Sequence, residues 1–274
     1  MGMKQKWRQA RVHPVAGHIL RFRPLALLVA MLMVFFTATA TADAPTPEVV
    51  YGKLKKQDVR LSIPGTNSPK GIAIWFHGQT GGVDNRMDEP WLKGLVRDGW
   101  IVASSDFHTA AWGNAASTED TALLKEWAEE QTGHEVKLFV SGSMGATVSL
   151  NAMLHGVPAP ACWCGVKPAV DPTKMGNVPG SRRKIAEAYD GQPVPDDRNP
   201  ARNVDRFSAD TVYRFVASKS DPWVIFDENA GKLSAALEAR GAKTSLLEVF
   251  GAHDDPSHFN VADLVEFAKG CTGE

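Results

Sequence analysis

Ser143 is the residue whose neighbours most clearly equip it for chemistry. The run from Lys137 to Leu150 begins with the apolar residues Leu138 to Val140 and stops at small residues. It resumes with Ala146, Val148 and Leu150 in helical character. That pattern predicts a strand, a sharp turn and a helix, with Ser143 at the apex. A chain that doubles back so tightly forces its apex residue towards positive φ, a strained region for anything but glycine. Gly142 and Gly145 supply the room on either side. The hydroxyl is then held above a strand end beside a helix N-terminus, where unpaired N–H groups point at incoming negative charge. A serine so placed can attack a carbonyl. Taken alone, the same residues also read as an ordinary glycine-rich turn.

A serine hydroxyl is a weak nucleophile near neutral pH. It needs a base to take its proton and an acid to orient that base. In a parallel sheet such groups belong at the carboxyl ends of strands, so the elements decide which residues qualify. Asp58 to Ile63 alternates Val59, Leu61 and Ile63 with period two, the mark of a half-buried strand. Gly71 to Phe76 is a continuous apolar run, as expected for a central strand covered on both faces. It opens into the glycine-rich loop His77 to Gly82. Further strands are expected at Trp100–Ala103, Ala161–Val166, Thr211–Ala217 and Thr244–Phe250. Helices are expected at Trp91–Asp98, at Thr118–Glu130 with Thr118 as cap, at Glu228–Arg240 and at Val261–Lys269. Ala44 to Glu48 reads as a loose lead-in. The alternation predicts one α/β domain over 43–274 with a mostly parallel sheet and helices on both faces. The polar, Pro- and Gly-rich stretch 171–207 breaks the rhythm. It is expected to carry short helices near Arg182–Tyr189 and Pro200–Phe207 and to sit over the sheet edge as a small cap.

Residues 1–42 contain six Lys or Arg and no acid, then an apolar run from Leu25 to Phe36 and a small-residue exit ending in Ala40 and Ala42. This is the pattern of a secretory signal peptide. The apolar run is about twelve residues, short of the ~20 that a spanning helix needs. An uncleaved N-terminal anchor is the alternative. Without the leader, 24 basic residues face 31 acidic ones, a net charge of −7 against −1 for the whole chain. That balance argues against nucleic acid or an anionic surface as partner. The three cysteines, Cys162, Cys164 and Cys271, predict one disulfide and one free thiol in an oxidising compartment, with Cys271 bonded to either of the others. A Cys-x-Cys metal site lacks a second ligand cluster nearby, so no metal is expected.

The strand followed by Ser141-Gly142-Ser143-Met144-Gly145 resembles the nucleophile elbow of the α/β-hydrolase family, whose pattern is Gly-x-Ser-x-Gly, with Ser141 here in place of the first glycine. The resemblance implies the chain order nucleophile, acid, histidine. In that order Asp221 lies just beyond the strand ending at Ala217, and His253 just beyond the last strand. Asp227 competes with Asp221 but lies on the approach to a helix, where an acid is usually structural. His258 competes with His253 but falls near the start of the final helix. His108 comes too early in the order, and His134 and His155 read as loop or surface residues. Asp254 and Asp255 read as solvated loop acids. The family's oxyanion donors correspond to the N–H of Met144 and, after His77-Gly78, the N–H of Gln79. Trp112 either lines the acyl pocket or packs a loop.

The resemblance spans about Asp58 to Lys269 and implies the α/β-hydrolase fold. It further implies a serine hydrolase that cleaves carboxylic esters through an acyl-enzyme, needing no cofactor, and the leader makes it a secreted one. Its substrate would be a small-molecule or polymeric ester. A peptidase on the same scaffold and a binding protein that has lost catalysis are the alternatives.

Overall fold

The computed structural model describes residues 46–272, and the leader at 1–42 lies outside them. Eight strands form one sheet in the order β1-β2-β4-β3-β5-β6-β7-β8. In chain order these are β1 (Glu48–Leu54), β2 (Gln57–Ile63), β3 (Ile72–Phe76), β4 (Ile101–Ser105), β5 (Val136–Gly142), β6 (Cys162–Val166), β7 (Val212–Ser218) and β8 (Thr244–Val249). β2 runs antiparallel to both of its neighbours, and every pair from β4 to β8 is parallel. The mostly parallel sheet expected from the sequence is therefore present. One strand was not anticipated. β1 is an edge strand with a mostly exposed face, so its residues Val49, Tyr51 and Lys53 give little apolar contrast, and only Val50 and Leu54 lean on the core.

Among the described residues there are six α-helices: α1 (Pro90–Arg97), α2 (Ala115–Thr132), α3 (Met144–Leu154), α4 (Ser181–Ala188), α5 (Ala230–Glu238) and α6 (Val261–Lys269). The pleat divides their contacts. Ile72, Ile74 and Phe76 of β3 belong to one apolar cluster, with α2, α3 and α5, while Ala73 and Trp75 belong to the other, with α1 and α6. Each central strand is thus buried on both faces, which explains its unbroken apolar sequence.

Two helix ends differ from expectation. α2 begins three residues earlier than Thr118, because the Asn114 side chain accepts a hydrogen bond from Ser117 N–H and caps it. Pro200–Phe207 is not a helix but two 3-10 turns, Pro200–Arg202 and Val204–Arg206. Asn199 and Asn203 bond to the local backbone there and compete with helical pairing. The stretch between β6 and β7 otherwise holds α4 and short turns.

The chain is tied at its end by a disulfide between Cys162 on β6 and Cys271 after α6, and Cys164 is a buried free thiol. Cys162 and Cys164 share one face of β6, and that face is the one α6 packs on, so either could have met Cys271 from the sequence alone. No helix among the described residues is long and apolar enough to cross a membrane.

Candidate active site

The end of β5 explains why Ser143 sits where it does. Its backbone is at φ 52 and ψ −118, between the strand and α3. A side chain cannot replace either flanking glycine. A Cβ on Gly145 would lie 2.1 Å from the carbonyl oxygen of Phe76, and one on Gly142 would lie 2.6 Å from the Trp75 ring. The turn is fastened from two sides. Ser143 N–H donates to the carbonyl of Val166 at 3.0 Å, and the Ser143 carbonyl accepts from Ala146 and Ala169. Ser141, where the family pattern has glycine, turns its hydroxyl into the core. There it lies 2.8 Å from Ser149 Oγ, which also accepts from Trp163 Nε1. The extra side chain is therefore absorbed by a buried polar network.

Asp221 and His253 reach Ser143 from the ends of β7 and β8. His253 Nε2 is 2.9 Å from Ser143 Oγ, and its Nδ1 is 2.6 Å from Asp221 Oδ2. The other carboxylate oxygen of Asp221 accepts from the N–H groups of Trp223 and Val224. Burial would raise the pKa of Asp221. The hydrogen bond and charge of His253, with those two N–H donors, overcome that and hold it below the ordinary carboxylate range. The Trp223 ring lies against His253 with centroids 5.2 Å apart. Ser218 Oγ donates to the carbonyl of Gly251, joining the loop that follows β7 to the one that carries His253.

The remaining expected donors lie close by. Met144 is the first residue of α3, with its N–H at the helix N-terminus. The loop after β3 runs alongside, and a Cβ on Gly78 would come within 3.7 Å of Ser143 Cβ. Gln79 is held by three bonds: Oε1 accepts from Trp112 Nε1, Nε2 donates to the carbonyl of Pro179, and its own carbonyl accepts from Lys184 Nζ. Trp112 is fully buried at φ 47, so it packs the loop and does not line the pocket. The ring of His77 is buried between the carbonyls of Gly78 and Asp106.

The rival residues make other contacts. Asp227 is exposed in a 3-10 turn. His258 is fully buried, its Nδ1 donates to the carbonyl of Asp255, and burial lowers its pKa. His108 pairs with Asp120 across the loop after β4, and His155 contacts the carbonyl of Asp197. Asp255 caps a turn through Ser257 N–H, whereas Asp254 is not merely solvated: it pairs with the buried Lys167 at 2.6 Å.

A pocket of about 240 Å³ opens beside Ser143, walled by Gln79, Arg86, Lys167, Trp223 and His253 among others. Sequence reading did not single out Arg86, Lys167 or Trp223. Lys167 directly follows the last residue of β6, at the carboxyl end of a strand, which is the same signal that marks Asp221 and His253. No cluster of three metal-ligating side chains occurs among the described residues.

The fold is that of the α/β hydrolases. No protein-family model matches the sequence, and no curated protein matches it significantly. Solved structures do. A puromycin hydrolase superposes with a TM-score of 0.68 at 14% identity, covering 84% of this chain and 39% of that one. An esterase/lipase from an uncultured bacterium also gives 0.68, at 15% identity, covering 84% of this chain and 87% of that one. An esterase from Pyrococcus furiosus gives 0.62 at 16% identity, covering 83% and 93%. The chain therefore spans about two fifths of the puromycin hydrolase but most of the length of each esterase.

Proposed function

We propose that the protein is a secreted serine hydrolase that cleaves carboxylic esters through an acyl-enzyme. The observation that carries this reading is the unbroken chain of contacts from Ser143 Oγ through His253 to Asp221. In this scheme Ser143 attacks the ester carbonyl as His253 takes its proton. The N–H groups of Met144 and Gln79 receive the developing oxyanion. The tetrahedral intermediate then collapses, His253 protonates the departing alkoxide, and the alcohol leaves. Water, deprotonated by His253, attacks the acyl-enzyme and releases the acid and the free serine. Asp221 holds the imidazole in one tautomer and offsets its positive charge. The segment 171–207 acts as a small cap, since Pro179 and Lys184 close one side of the Gln79 loop.

Export fits the basic-apolar leader at 1–42, and the Cys162–Cys271 bond fits an oxidising compartment. The solved neighbours also include an acylaminoacyl peptidase of Pyrococcus horikoshii, so an amide substrate is the second reading. This chain spans 42% of that protein, whereas it spans 87% of the esterase/lipase. A panel of p-nitrophenyl esters of increasing acyl length, run beside acylaminoacyl p-nitroanilides, tests the reading. Ester turnover that exceeds anilide turnover supports it, and turnover of anilides alone would replace it with the peptidase.

A further inference from the structure

The pocket wall facing Ser143 carries two cations, Arg86 and Lys167. They arrive from different parts of the chain, one in the loop before α1 and one at the end of β6, and they converge on one aromatic ring. The Arg86 guanidinium carbon is 3.8 Å from the centroid of Phe259, and Lys167 Nζ is 5.3 Å from it. Both residues are held at positive φ, 60 and 44, as is Ser143 at 52. Backbone strain of this kind persists only where the surroundings enforce it, and it gathers at binding sites. Lys167 is only 7% exposed, and it lines the pocket.

The counter-charges are arranged differently. Each cation has one carboxylate partner, and both carboxylates lie towards solvent: Glu89, 45% exposed, on Arg86 Nη1, and Asp254, 65% exposed, on Lys167. A guanidinium has five N–H donors and an ammonium three. The contacts to Glu89 and Asp254 therefore engage only part of each cation's donor set. Asp254 is the one acid on the pocket wall against these two cations. In a chain whose acids outnumber its bases, the wall beside the serine has the opposite balance.

We propose that this wall is an anion subsite, and that the ester accepted by the pocket carries a carboxylate a few atoms from the scissile carbonyl. Arg86 supplies a planar fork suited to a carboxylate, Lys167 a second charge, and Phe259 an apolar support that keeps both heads in place. The proposal rests on the hydrolase reading of Ser143, and its test separates the two.

The test compares kcat/KM for charged and neutral partners of similar size: p-nitrophenyl hemiglutarate against p-nitrophenyl valerate, and 4-carboxyphenyl acetate against 4-carbamoylphenyl acetate. The purified protein is expected to prefer the anionic member of at least one pair by roughly tenfold or more, the scale of a charge-assisted hydrogen bond. That preference should shrink with added salt. Arg86→Gln and Lys167→Met should each bring the ratio towards one, and Arg86→Lys should keep part of it. The ratio is read within each variant, so a general loss of rate does not obscure it. Equal or neutral-favouring rates in both pairs overturn the anion subsite and leave the hydrolase intact. Thermal shift with free glutarate and free valerate gives a readout that needs no turnover. Stabilisation by glutarate alone, with no ester cleaved, would keep the subsite and overturn the hydrolase.

Discussion

Ser143, His253 and Asp221 make different demands on the chain, and their replacement should separate accordingly. Ser143→Ala is expected to cut ester turnover by about six orders of magnitude, with the far-UV spectrum unchanged. His253→Ala should cost nearly as much, because in the proposed mechanism the two act in one proton transfer and their losses do not add. Asp221→Asn should cost less than either. His258→Ala should leave most of the rate and lower the melting temperature, since His258 is buried and bonds to the Asp255 carbonyl, whereas His253 is the histidine on Ser143 Oγ. A His258 variant that loses the rate while the His253 variant keeps it would reverse the assignment. Asp221 also links the site to acid stability. Its folded pKa is depressed, so its contribution is fully present above the unfolded value of ~3.9 and is lost as pH falls through the folded one. Asp221→Asn should therefore flatten the loss of stability below about pH 4, as followed by urea melts. The three residues were legible because each follows a strand end. Arg86 was not, because a lone arginine in the loop between Gly82 and Pro90 has no periodic neighbours to give it direction.

The loop carrying Gln79 is held in place by other elements. Trp112 follows β4, while Pro179 and Lys184 lie between β6 and β7, and all three bond to Gln79. Tyr189 Oη in turn donates to the Trp112 carbonyl at 2.9 Å. With Gln79 N–H as the proposed oxyanion donor, loosening this clamp should raise the barrier without weakening ground-state binding, because such a donor acts mainly in the transition state. Trp112→Phe is expected to lower kcat by about tenfold, a fraction of the 10²–10³ lost when such a donor is removed, with KM little changed. A rise in KM at constant kcat would assign Trp112 to substrate binding. The central strands and α1, α3 and α6 were readable from apolar runs and helical spacing. β1 was not, because an edge strand with one wet face blends into a polar lead-in. The 3-10 turns near Pro200 were hidden by asparagines whose side-chain bonds outweigh helix propensity.

At the scale of the molecule, the disulfide spans 109 residues, from the middle of the sheet to the last helix. Closing a loop of that size stabilises by up to ~4–5 kcal/mol in the chain-entropy model. Reduction, or the Cys162→Ala/Cys271→Ala pair, should lower the melting temperature measurably, and an unchanged value would mean that α6 packing alone holds the end. Cys164 should behave in the opposite way. Burial pushes its thiol up to about 12, so it should resist thiol reagents at pH 8 until the protein unfolds. The sequence limited the disulfide to two pairings, and it could not choose because Cys162 and Cys164 face the same way on β6. The choice depends on where α6 ends, which only the packed structure defines.

Labelling by an active-site-directed fluorophosphonate tests the central claim most directly, because it reports an activated serine without assuming a substrate. One equivalent should add to the folded protein, peptide mapping should find it on Ser143, and the Ser143→Ala and His253→Ala variants should not react. A wild-type protein that stays unlabelled, or that is labelled equally well without His253, would contradict the account.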